Sequence, residues 1–233
     1  MPGKLYLIPS LLAESEKEQV IPEQVTKVIN SINNYIVENE RTARRMLLKM
    51  GIRTSIDSLR FHLLNKHTQQ AHINNYLQLF TEGDVGLLSE AGVPAVADPG
   101  SEIVAMAHQQ GIEVVPLVGP SSILLAMMAS GMNGQHFTFA GYLPVKKHER
   151  MQRIRFLESR SQKENQSQIF IETPYRNNSL LNDLMAACSP PTRVCIACEL
   201  TSPNGWVITK TVKDWKKQLP DLHKKPAIFI MHK

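Results

Sequence analysis

Four short segments of the chain hold the residue types that could do chemistry, and each directly follows a predicted strand. They are rich in glycine, proline, serine or acidic residues and comprise residues 89–94, 119–122, 172–176 and 199–201. In α/β proteins, ligands bind outside the carboxyl ends of the strands, where small residues let a ligand reach backbone N–H and C=O groups. Any one segment could be an ordinary turn, but four of them together favour a ligand site.

The stretch LLSEAGVPAVADPGSEIV, residues 87–104, has more turn-forming residues than its place in the chain requires. It connects a predicted strand over 85–89 to a predicted helix over 100–110, and such a connection needs one or two of them. Here there are five: Gly92, Pro94, Asp98, Pro99 and Gly100. We therefore expect a backbone that is shaped to meet a ligand.

The phosphate-binding fingerprints are absent from the sequence. Neither G-x-G-x-x-G nor G-x-x-x-x-G-K-[ST] occurs, and both motifs hold phosphates on a glycine-rich turn. The pattern favours a ligand without phosphate, held mainly by backbone and small side chains.

The three cysteines do not form a recognisable site. Cys195 and Cys198 form a single C-x-x-C pair near Cys188, whereas a structural zinc site needs four ligands. The surrounding RVCIACEL has the character of a buried strand, in which positions i and i+3 face opposite sides. We expect small core residues and no metal.

Composition and charge limit the class of protein. The chain has 233 residues, of which 42% are hydrophobic and 20% charged, and its net charge is +5. This length suits two domains, and the mild basic excess permits nucleic-acid binding without requiring it. No run approaches the roughly 18 apolar residues of a membrane span, and the start MPGKLYLIPSLLAE is too short and polar for a secretory signal. We expect a cytoplasmic protein with no membrane partner.

The two halves of the chain have different element patterns. In the first half, strands at 4–8, 34–39, 85–89 and 112–118 alternate with helices at 41–50, 68–80 and 100–110, which indicates a parallel α/β sheet. The second half has strands at 136–142 and 167–174, helices at 150–158 and 178–187, an exposed loop at 159–168 and three late strands. It therefore predicts an α+β domain with a mixed sheet. We place the domains at 1–117 and 118–233.

Several segments resemble, in the same order, motifs of the tetrapyrrole methylase superfamily, and within it the branch of ribosomal RNA small subunit methyltransferase I. SEAGVPAVADPG resembles the family's S-[DE]-A-G-x-P-x-x-[SA]-D-P-G loop. VVPLVGPSS, FTFAGYLPVKKHER, FIETPYR and CELT match further motifs, and VENER is a looser match to A-E-D-T-R. Together the matches cover about residues 34–201.

The resemblance implies two α/β domains, S-adenosylmethionine bound in a folded shape in a cleft between them, and usually a homodimer. It also implies the cofactor-binding residues. On the motifs as they stand in this chain, these are Glu90, Ala91, Gly92, Val93, Val96, Ser121, Ser122, Thr173, Leu200 and Ala227. The implied activity is 2′-O-ribose methylation of small-subunit ribosomal RNA.

The chain departs from the family pattern on the substrate side. Where the family has T-P-I-G-N-L-x-D, residues 9–22 read PSLLAESEKEQVIP, and in the A-E-D-T-R segment Asn39 replaces Asp and Glu40 replaces Thr. Two alternatives to the RNA methyltransferase therefore stay open. One is a methyltransferase of a small molecule such as a tetrapyrrole, and the other is a non-catalytic, cofactor-binding homologue.

No catalytic residue is assigned from the sequence. A ribose hydroxyl must lose its proton to a base, and the candidates are Glu90, Asp98, Glu172 and Lys146. Asp98 could instead shape a turn, Glu172 could pair with Arg176, and Lys146 could be a solvated charge.

Two groups of basic residues could bind RNA phosphates or could form exposed helix faces. The first comprises Lys146, Lys147, His148, Arg150, Arg153 and Arg155, and the second Arg41, Arg44, Arg45 and Lys49. If they bind phosphates, RNA affinity should fall as the salt concentration rises.

Overall fold

The computed structural model describes residues 2–64 and 74–233. The chain divides into two compact units, Met1–Ser121 and Ser122–Lys233. The boundary after residue 117 stays a prediction. Residues 68–73 of the helix predicted over 68–80 lie outside the described residues. The part within them forms a 3₁₀ turn, Asn74–Gln78, followed by α4, Leu79–Glu82.

The first unit is built on a parallel sheet, as the alternating pattern predicted. Its strands are β1 (Leu5–Ile8), β2 (Asn34–Val37), β3 (Arg60–Leu63), β4 (Val85–Leu88) and β5 (Val114–Pro116), in the order β3-β2-β4-β1-β5. Every pairing is parallel. Parallel neighbours need crossover connections, which are usually helical. The other helices are α1 (Lys17–Val20), α2 (Glu23–Ile29), α3 (Glu40–Lys49) and α5 (Gly100–Gln109).

The central strands of this sheet are apolar because both of their faces are covered. Tyr35 and Val37 of β2 pack in one buried cluster, whereas Ile36 between them packs in a second cluster on the other face. This alternation follows from the two-residue period of a strand. The buried Tyr35 hydroxyl donates a 2.7 Å hydrogen bond to the carbonyl of Ile29, so the polar end of the ring is also satisfied.

The second unit has a mixed sheet, as predicted. Its strands are β6 (Phe137–Tyr142), β7 (Ser167–Ile171), β8 (Arg193–Cys198), β9 (Trp206–Thr211) and β10 (Ala227–His232), in the order β6-β7-β10-β8-β9. Only the β6–β7 pair within this sheet is parallel. Its helices are α6 (Ser122–Ala129), α7 (Lys147–Glu164), α8 (Asn177–Ala187) and α9 (Val212–Trp215).

The cysteines are core residues, which confirms the interpretation of RVCIACEL as a buried strand. All three are buried. Cys198 packs in the cluster that contains Trp215, whereas Cys195 packs on the other face with Ile230. Burial raises the pKa of the Cys198 thiol to about 11, so it is a thiol near neutral pH.

The exposed loop predicted over 159–168 is wrong. Helix α7 continues to Glu164, Asn165 ends it with a left-handed φ of 48°, and β7 begins two residues later. Polar composition was misleading because several of these side chains are buried and hydrogen-bonded. Ser161 accepts a 3.0 Å bond from the backbone N–H of Lys233, and the Gln168 amide donates to Gln166.

Candidate functional site

The carboxyl ends of four strands of the first sheet lie in register at one edge. Leu88 at the end of β4 pairs with both Ile8 of β1 and Val37 of β2, and Pro116 at the end of β5 pairs with Leu7. The segments that follow these strands therefore begin side by side. This edge is where an open parallel sheet binds its ligands.

Asp98 holds the loop after β4 in shape. Its carboxylate accepts hydrogen bonds from the backbone N–H groups of Ala95, at 2.9 Å, and Gly100, at 2.8 Å. Ala95 and Ala97 have left-handed φ values of 64° and 65°, which cost energy in residues other than glycine. A Cβ on Gly100 would lie 2.8 Å from an Asp98 oxygen. The loop is thus a braced, strained turn, and the turn-shaping interpretation of Asp98 is confirmed.

The divergent segment after β1 supports this loop. The backbones of Ser10 and Gly92 exchange two hydrogen bonds of 2.7 and 3.1 Å, and the Ser10 hydroxyl donates to the Ser89 carbonyl. Gly92 has a left-handed φ of 72°. A Cβ on Gly119 would lie 2.2 Å from the Cβ of Pro9. Residues 9–22 have lost the family's glycine and asparagine, yet they still fix the position of Gly92.

Glu38 is a functional candidate that the sequence analysis did not single out. Glu38 directly follows β2, just as the 89–94 segment directly follows the neighbouring strand β4. This equivalent position after a strand is the feature of the sequence that could have identified Glu38 as a candidate. Burial, with the negative charges of Asp98 and Glu90, raises the pKa of Glu38. Glu90 is exposed and accepts a 2.6 Å bond from the Thr42 hydroxyl. Three carboxylates therefore lie near enough at this edge for two of them to raise the pKa of the third.

The predicted cofactor residues of the first unit are placed at the same carboxyl edge. Glu90, Ala91 and Val96 are exposed, Val93 is half-buried and Gly92 is buried. Ser121 directly precedes α6 and is the last residue of this unit, whereas Ser122 opens the helix and begins the second unit. Both residues therefore lie at the start of α6, and their contact with the cofactor stays a prediction.

The predicted cofactor residues of the second unit also share one edge of a sheet. Ile171 at the end of β7 pairs with Ile228, and Ala227 at the start of β10 pairs with Cys198 at the end of β8. Thr173 and Leu200 follow the ends of β7 and β8, and Ala227 begins the antiparallel strand β10. All three residues therefore lie at the same end of this sheet. Thr173 and Leu200 are half-buried, and Ala227 is buried.

Glu172 locks the segment that contains Thr173. One of its oxygens accepts bonds from the Thr173 N–H at 2.7 Å and from the Arg176 guanidinium at 2.6 Å. The predicted pairing of Glu172 with Arg176 is confirmed. Because the Glu172 side chain is 1% exposed, this charge would be costly without its partner.

Three buried oxygens at this edge have no hydrogen-bond partner among the described residues. They are Glu172 Oε2, Thr201 Oγ1 and Ser202 Oγ, and Thr201 and Ser202 follow β8. Most buried polar atoms in proteins have a partner, so such orphans call for an explanation. A carboxylate oxygen and two hydroxyls fit the amino and hydroxyl groups of a nucleoside.

The first basic group is only partly available to phosphates. Arg150 is buried, donates to Asp183 at 2.6 Å and to the Val145 carbonyl at 2.7 Å, so its assignment to an RNA surface is wrong. The sequence could not reveal this, because Asp183 lies 33 residues away. Lys146 and Lys147 remain exposed, although Lys146 also pairs with Glu149 at 3.2 Å.

The second basic group is also partly occupied. Arg44 pairs with Glu40 at 2.9 Å and Asp57 at 3.1 Å, and its guanidinium lies 4.9 Å from the centre of the Phe61 ring. Arg41 and Arg45 stay exposed on the same helix. These two therefore keep their charge accessible.

A sizeable cavity in the first unit lies away from the predicted cofactor-binding residues. A cavity of about 650 Å³ in the first unit is lined by residues of α1 and α2 and by Asn30 and Arg53, none of them predicted as a cofactor contact. Several of its polar groups have partners: Lys27 pairs with Glu23, and the Asn30 side chain accepts from the Arg53 N–H. Chemistry therefore favours the strand ends over this groove.

Neither a metal site nor a membrane-spanning helix is found within residues 2–64 and 74–233. In this part of the chain no three His, Cys, Asp or Glu side chains are grouped as a metal ion would require. None of the helices described there is both long and apolar enough to cross a bilayer.

Comparison with known proteins identifies the family. The family model of the Tetrapyrrole (Corrin/Porphyrin) Methylases matches residues 21–215. The chain belongs to this family. The match confirms the resemblance that the ordered motifs carried.

Curated relatives carry the name ribosomal RNA small subunit methyltransferase I. The relative from Thermotoga maritima is 32% identical over 200 residues, which cover 85% of this chain and 84% of that protein. The relative from Escherichia coli O157:H7 is 29% identical over 200 residues, and the chain spans 66% of its length. The chain spans 65% of the relative from Vibrio cholerae, with 29% identity.

Solved structures of tetrapyrrole methylases share the fold. The methyltransferase CobJ superposes with a TM-score of 0.63 at 16% identity, over 99% of this chain and 94% of that one. Cobalt precorrin-4 methyltransferase CbiF gives 0.60 at 14% identity, over 98% and 94%. These likenesses confirm the predicted α/β fold class of the family.

Proposed function

We propose that this protein is an S-adenosylmethionine-dependent methyltransferase that methylates a ribose 2′-hydroxyl of small-subunit ribosomal RNA. The observation that carries the proposal is the relationship to ribosomal RNA small subunit methyltransferase I, at 32% identity over most of both chains. The ordered motifs at the strand ends support it, because they supply the loops from which the family's site is built.

S-adenosylmethionine, when bound, supplies an electrophilic methyl group, and the residues present fit such a ligand. We propose that the ten residues named from the sequence contact it. In the first unit, the braced loop presents Gly92 and its neighbours with fixed backbone geometry. In the second unit, the unpartnered oxygens of Glu172, Thr201 and Ser202 suit the N–H and O–H groups of a nucleoside.

The protein must also remove the proton of the acceptor hydroxyl. Asp98 and Glu172 are engaged in holding their loops, and Lys146 is exposed beside Glu149. We propose Glu38 for this role. Its raised pKa makes its carboxylate a stronger base than an ordinary glutamate.

Ribosomal RNA is favoured over a small-molecule acceptor. The tetrapyrrole methylases described above share only the fold at 14–16% identity, whereas the relatives named for ribosomal RNA are about twice as similar. Exposed Lys146, Lys147, Arg41 and Arg45 could contact the phosphates of an RNA. A ribosomal substrate also implies a cytoplasmic location.

The homodimer that the resemblance implies belongs to the same proposal. Helix α6 is apolar on all sides, and Met128 is 79% exposed. A helix that is apolar on all sides is usually buried against other protein. A second copy of the chain would bury the exposed side of α6 that carries Met128.

The first experiment measures the cofactor site. Calorimetric titration with S-adenosylhomocysteine should show micromolar binding by the full chain. Ser121→Trp should abolish binding because the new ring occupies the helix start. Ser31→Trp is the control, since Ser31 is exposed and precedes β2 at the opposite edge. Absence of binding to the wild type, or equal loss in both variants, would contradict the cofactor assignment.

The second experiment measures methyl transfer. With labelled S-adenosylmethionine, small ribosomal subunits that lack the modification should accept label on a ribose. Glu38→Gln should lower the rate by about 10²–10⁴ and keep S-adenosylhomocysteine binding, whereas Glu40→Gln should keep both, since Glu40 pairs with Arg44. Cofactor binding without transfer to any RNA would favour the non-catalytic homologue.

A further inference from the structure

An exposed aromatic ring stands at the carboxyl edge of the second sheet, in the segment after β7. Tyr175 is 70% exposed, although a large aromatic side chain is more often buried or placed at an interface. It lies two residues after Thr173, yet none of the functions assigned above uses it.

The backbone under Tyr175 is fixed. The Arg176 N–H donates to the Thr173 carbonyl at 2.8 Å, and the Glu172–Arg176 ion pair closes the same turn. Exposure of this ring therefore does not come from a loose loop. The ring is held out from a rigid support.

A second loop, between α9 and β10, is tied to the first. The Lys224 N–H donates to the Pro174 carbonyl at 3.1 Å, and the Asn177 amide donates to the Lys225 carbonyl at 2.6 Å. Lys224 has a left-handed φ of 61°. Such a conformation in a residue other than glycine persists only where its surroundings impose it.

The second loop places a cation and a second ring beside Tyr175. The Lys224 ammonium lies 5.9 Å from the ring centre of Tyr175, and the His223 ring stands edge-on at 6.1 Å. The acidic neighbours are engaged: Glu172 with Arg176, and Asp221 with the Asn178 amide and the His223 N–H. The Tyr175 ring thus stays largely exposed, with the Lys224 ammonium over one of its faces.

We propose that Tyr175 is a stacking platform for an unpaired base of an RNA substrate, with Lys224 contacting a neighbouring phosphate. Sequence-tolerant binding of single-stranded RNA combines aromatic faces for the bases with cations for the backbone. This inference rests on the proposed function, since it takes RNA as the substrate class, and it adds a contact that lies outside the cofactor residues.

The test uses the full chain and a short fluorescein-labelled single-stranded RNA of mixed sequence. Fluorescence anisotropy should give a Kd that rises roughly 5- to 150-fold for Tyr175→Leu, the range expected for one lost base–aromatic stack. Tyr175→Phe should stay near the wild-type value because it keeps the ring. Tyr175 is exposed, so urea unfolding should show the same stability for all three proteins.

Phe156 provides a matched control. It is 54% exposed, and the Arg153 guanidinium lies 5.1 Å from its ring centre. Phe156 lies on α7, nine residues after Lys147, which is about 13 Å along the helix from that exposed lysine. Phe156→Leu should leave the Kd unchanged. An equal loss in both leucine variants would overturn the proposal, because any exposed aromatic ring would then suffice.

An abasic oligonucleotide of the same length separates stacking from other roles. It should bind the wild type more weakly, and Tyr175→Leu should have no further effect on it. Lys224→Gln should reduce the slope of log K against log salt by about 0.7, the value for one phosphate of a single strand. An equal effect of Tyr175→Leu on the abasic strand would exclude stacking.

Two further measurements keep the inference distinct from the proposed function. If Tyr175→Leu weakens S-adenosylhomocysteine binding or lowers the mass of the assembly in light scattering, the ring serves the cofactor or a second copy, and the inference is wrong. If the wild type transfers no methyl group but the RNA results hold, the proposed activity fails and the base-stacking platform stands.

Discussion

Carboxylates at the strand ends serve mainly to hold loops, and this is decided residue by residue. Asp98 braces two backbone N–H groups, and Glu172 is bound by Arg176. Glu38 lies near the negative charges of Asp98 and Glu90, and burial raises its pKa, as it raises the pKa of Asp98. The same residue type therefore has structural or chemical roles that depend on which donors surround it.

The Arg150–Asp183 pair should be a major contributor to the stability of the second unit. Both side chains are 5% exposed, and the charged atoms are 2.6 Å apart. Arg150→Met would leave Asp183 buried without its main partner and should lower the free energy of unfolding by about 3–5 kcal/mol. Urea denaturation measures this loss.

Two variants serve as controls for this pair. Arg150→Met/Asp183→Leu should recover most of the loss, because no buried charge remains. Lys146→Met removes an exposed charge and should change the free energy of unfolding by less than about 0.5 kcal/mol. If the double variant is no more stable than Arg150→Met, the unpaired Asp183 charge is not the cause.

Glu158 should make stability depend on acid pH. Burial raises its pKa, but hydrogen bonds from Thr192 and Ser189, with the charge of Lys233, outweigh burial and hold the pKa below its ordinary value of 4.5. A carboxyl whose pKa is lower in the folded state stabilises the protein above the unfolded-state pKa. That contribution is lost as the pH falls through the folded-state pKa.

The comparison is between wild type and Glu158→Gln across the acid range. The difference in their free energies of unfolding should be constant above pH 4.5 and shrink below it. Thermal or urea unfolding at several pH values measures it. A difference that does not vary with pH, or that grows as the pH falls, would refute this role of Glu158.

At the scale of elements, a departure from the family motif preserves a helix cap. Asn39 stands where the family has Asp, and its side-chain oxygen accepts a 3.2 Å bond from the Thr42 N–H at the start of α3. Asp and Asn are both strong N-caps. The substitution therefore keeps the helix start and the Thr42 contact with Glu90.

Removing this cap should cost stability. Asn39→Ala should lower the free energy of unfolding by about 1 kcal/mol, which corresponds to a Tm about 2–4 °C lower for a chain of this size. Asn39→Asp should equal or exceed the wild type, because a negative charge favours a helix N-terminus. Calorimetry measures the Tm, and exposed Asn33→Ala is the control. Equal Tm values for Asn39→Ala and wild type would exclude the cap.

At the scale of the whole molecule, the exposed apolar face of α6 predicts self-association. Met128→Lys would place a charge in the face that a second copy should cover. Light scattering should give twice the chain mass for the wild type and a smaller average mass for the variant. Lys147→Met, on an exposed part of α7, should leave the mass unchanged. A monomeric wild type would contradict the proposed homodimer.

The sequence by itself determined the features that depend on neighbouring residues. Apolar runs and turn residues predicted the parallel and mixed sheets. A pair between Glu172 and Arg176, four positions further along the chain, was one of the alternatives open from the sequence. The braced turn at Asp98 is likewise local, since its hydrogen bonds reach only three residues back and two ahead. Motif order was also visible, and it identified the family.

Tertiary structure alone decided which polar residues are free. From the sequence, Arg150 was grouped with a possible RNA surface because its partner Asp183, 33 residues away, cannot be recognised from the sequence. The continuation of α7 through a polar segment depends on burial against distant residues such as Lys233. Folding of distant segments brings Asp98 near Glu38 and places the Lys224 ammonium over the Tyr175 ring. Periodicity reports local conformation, whereas burial and pairing depend on contacts that only the folded chain brings together.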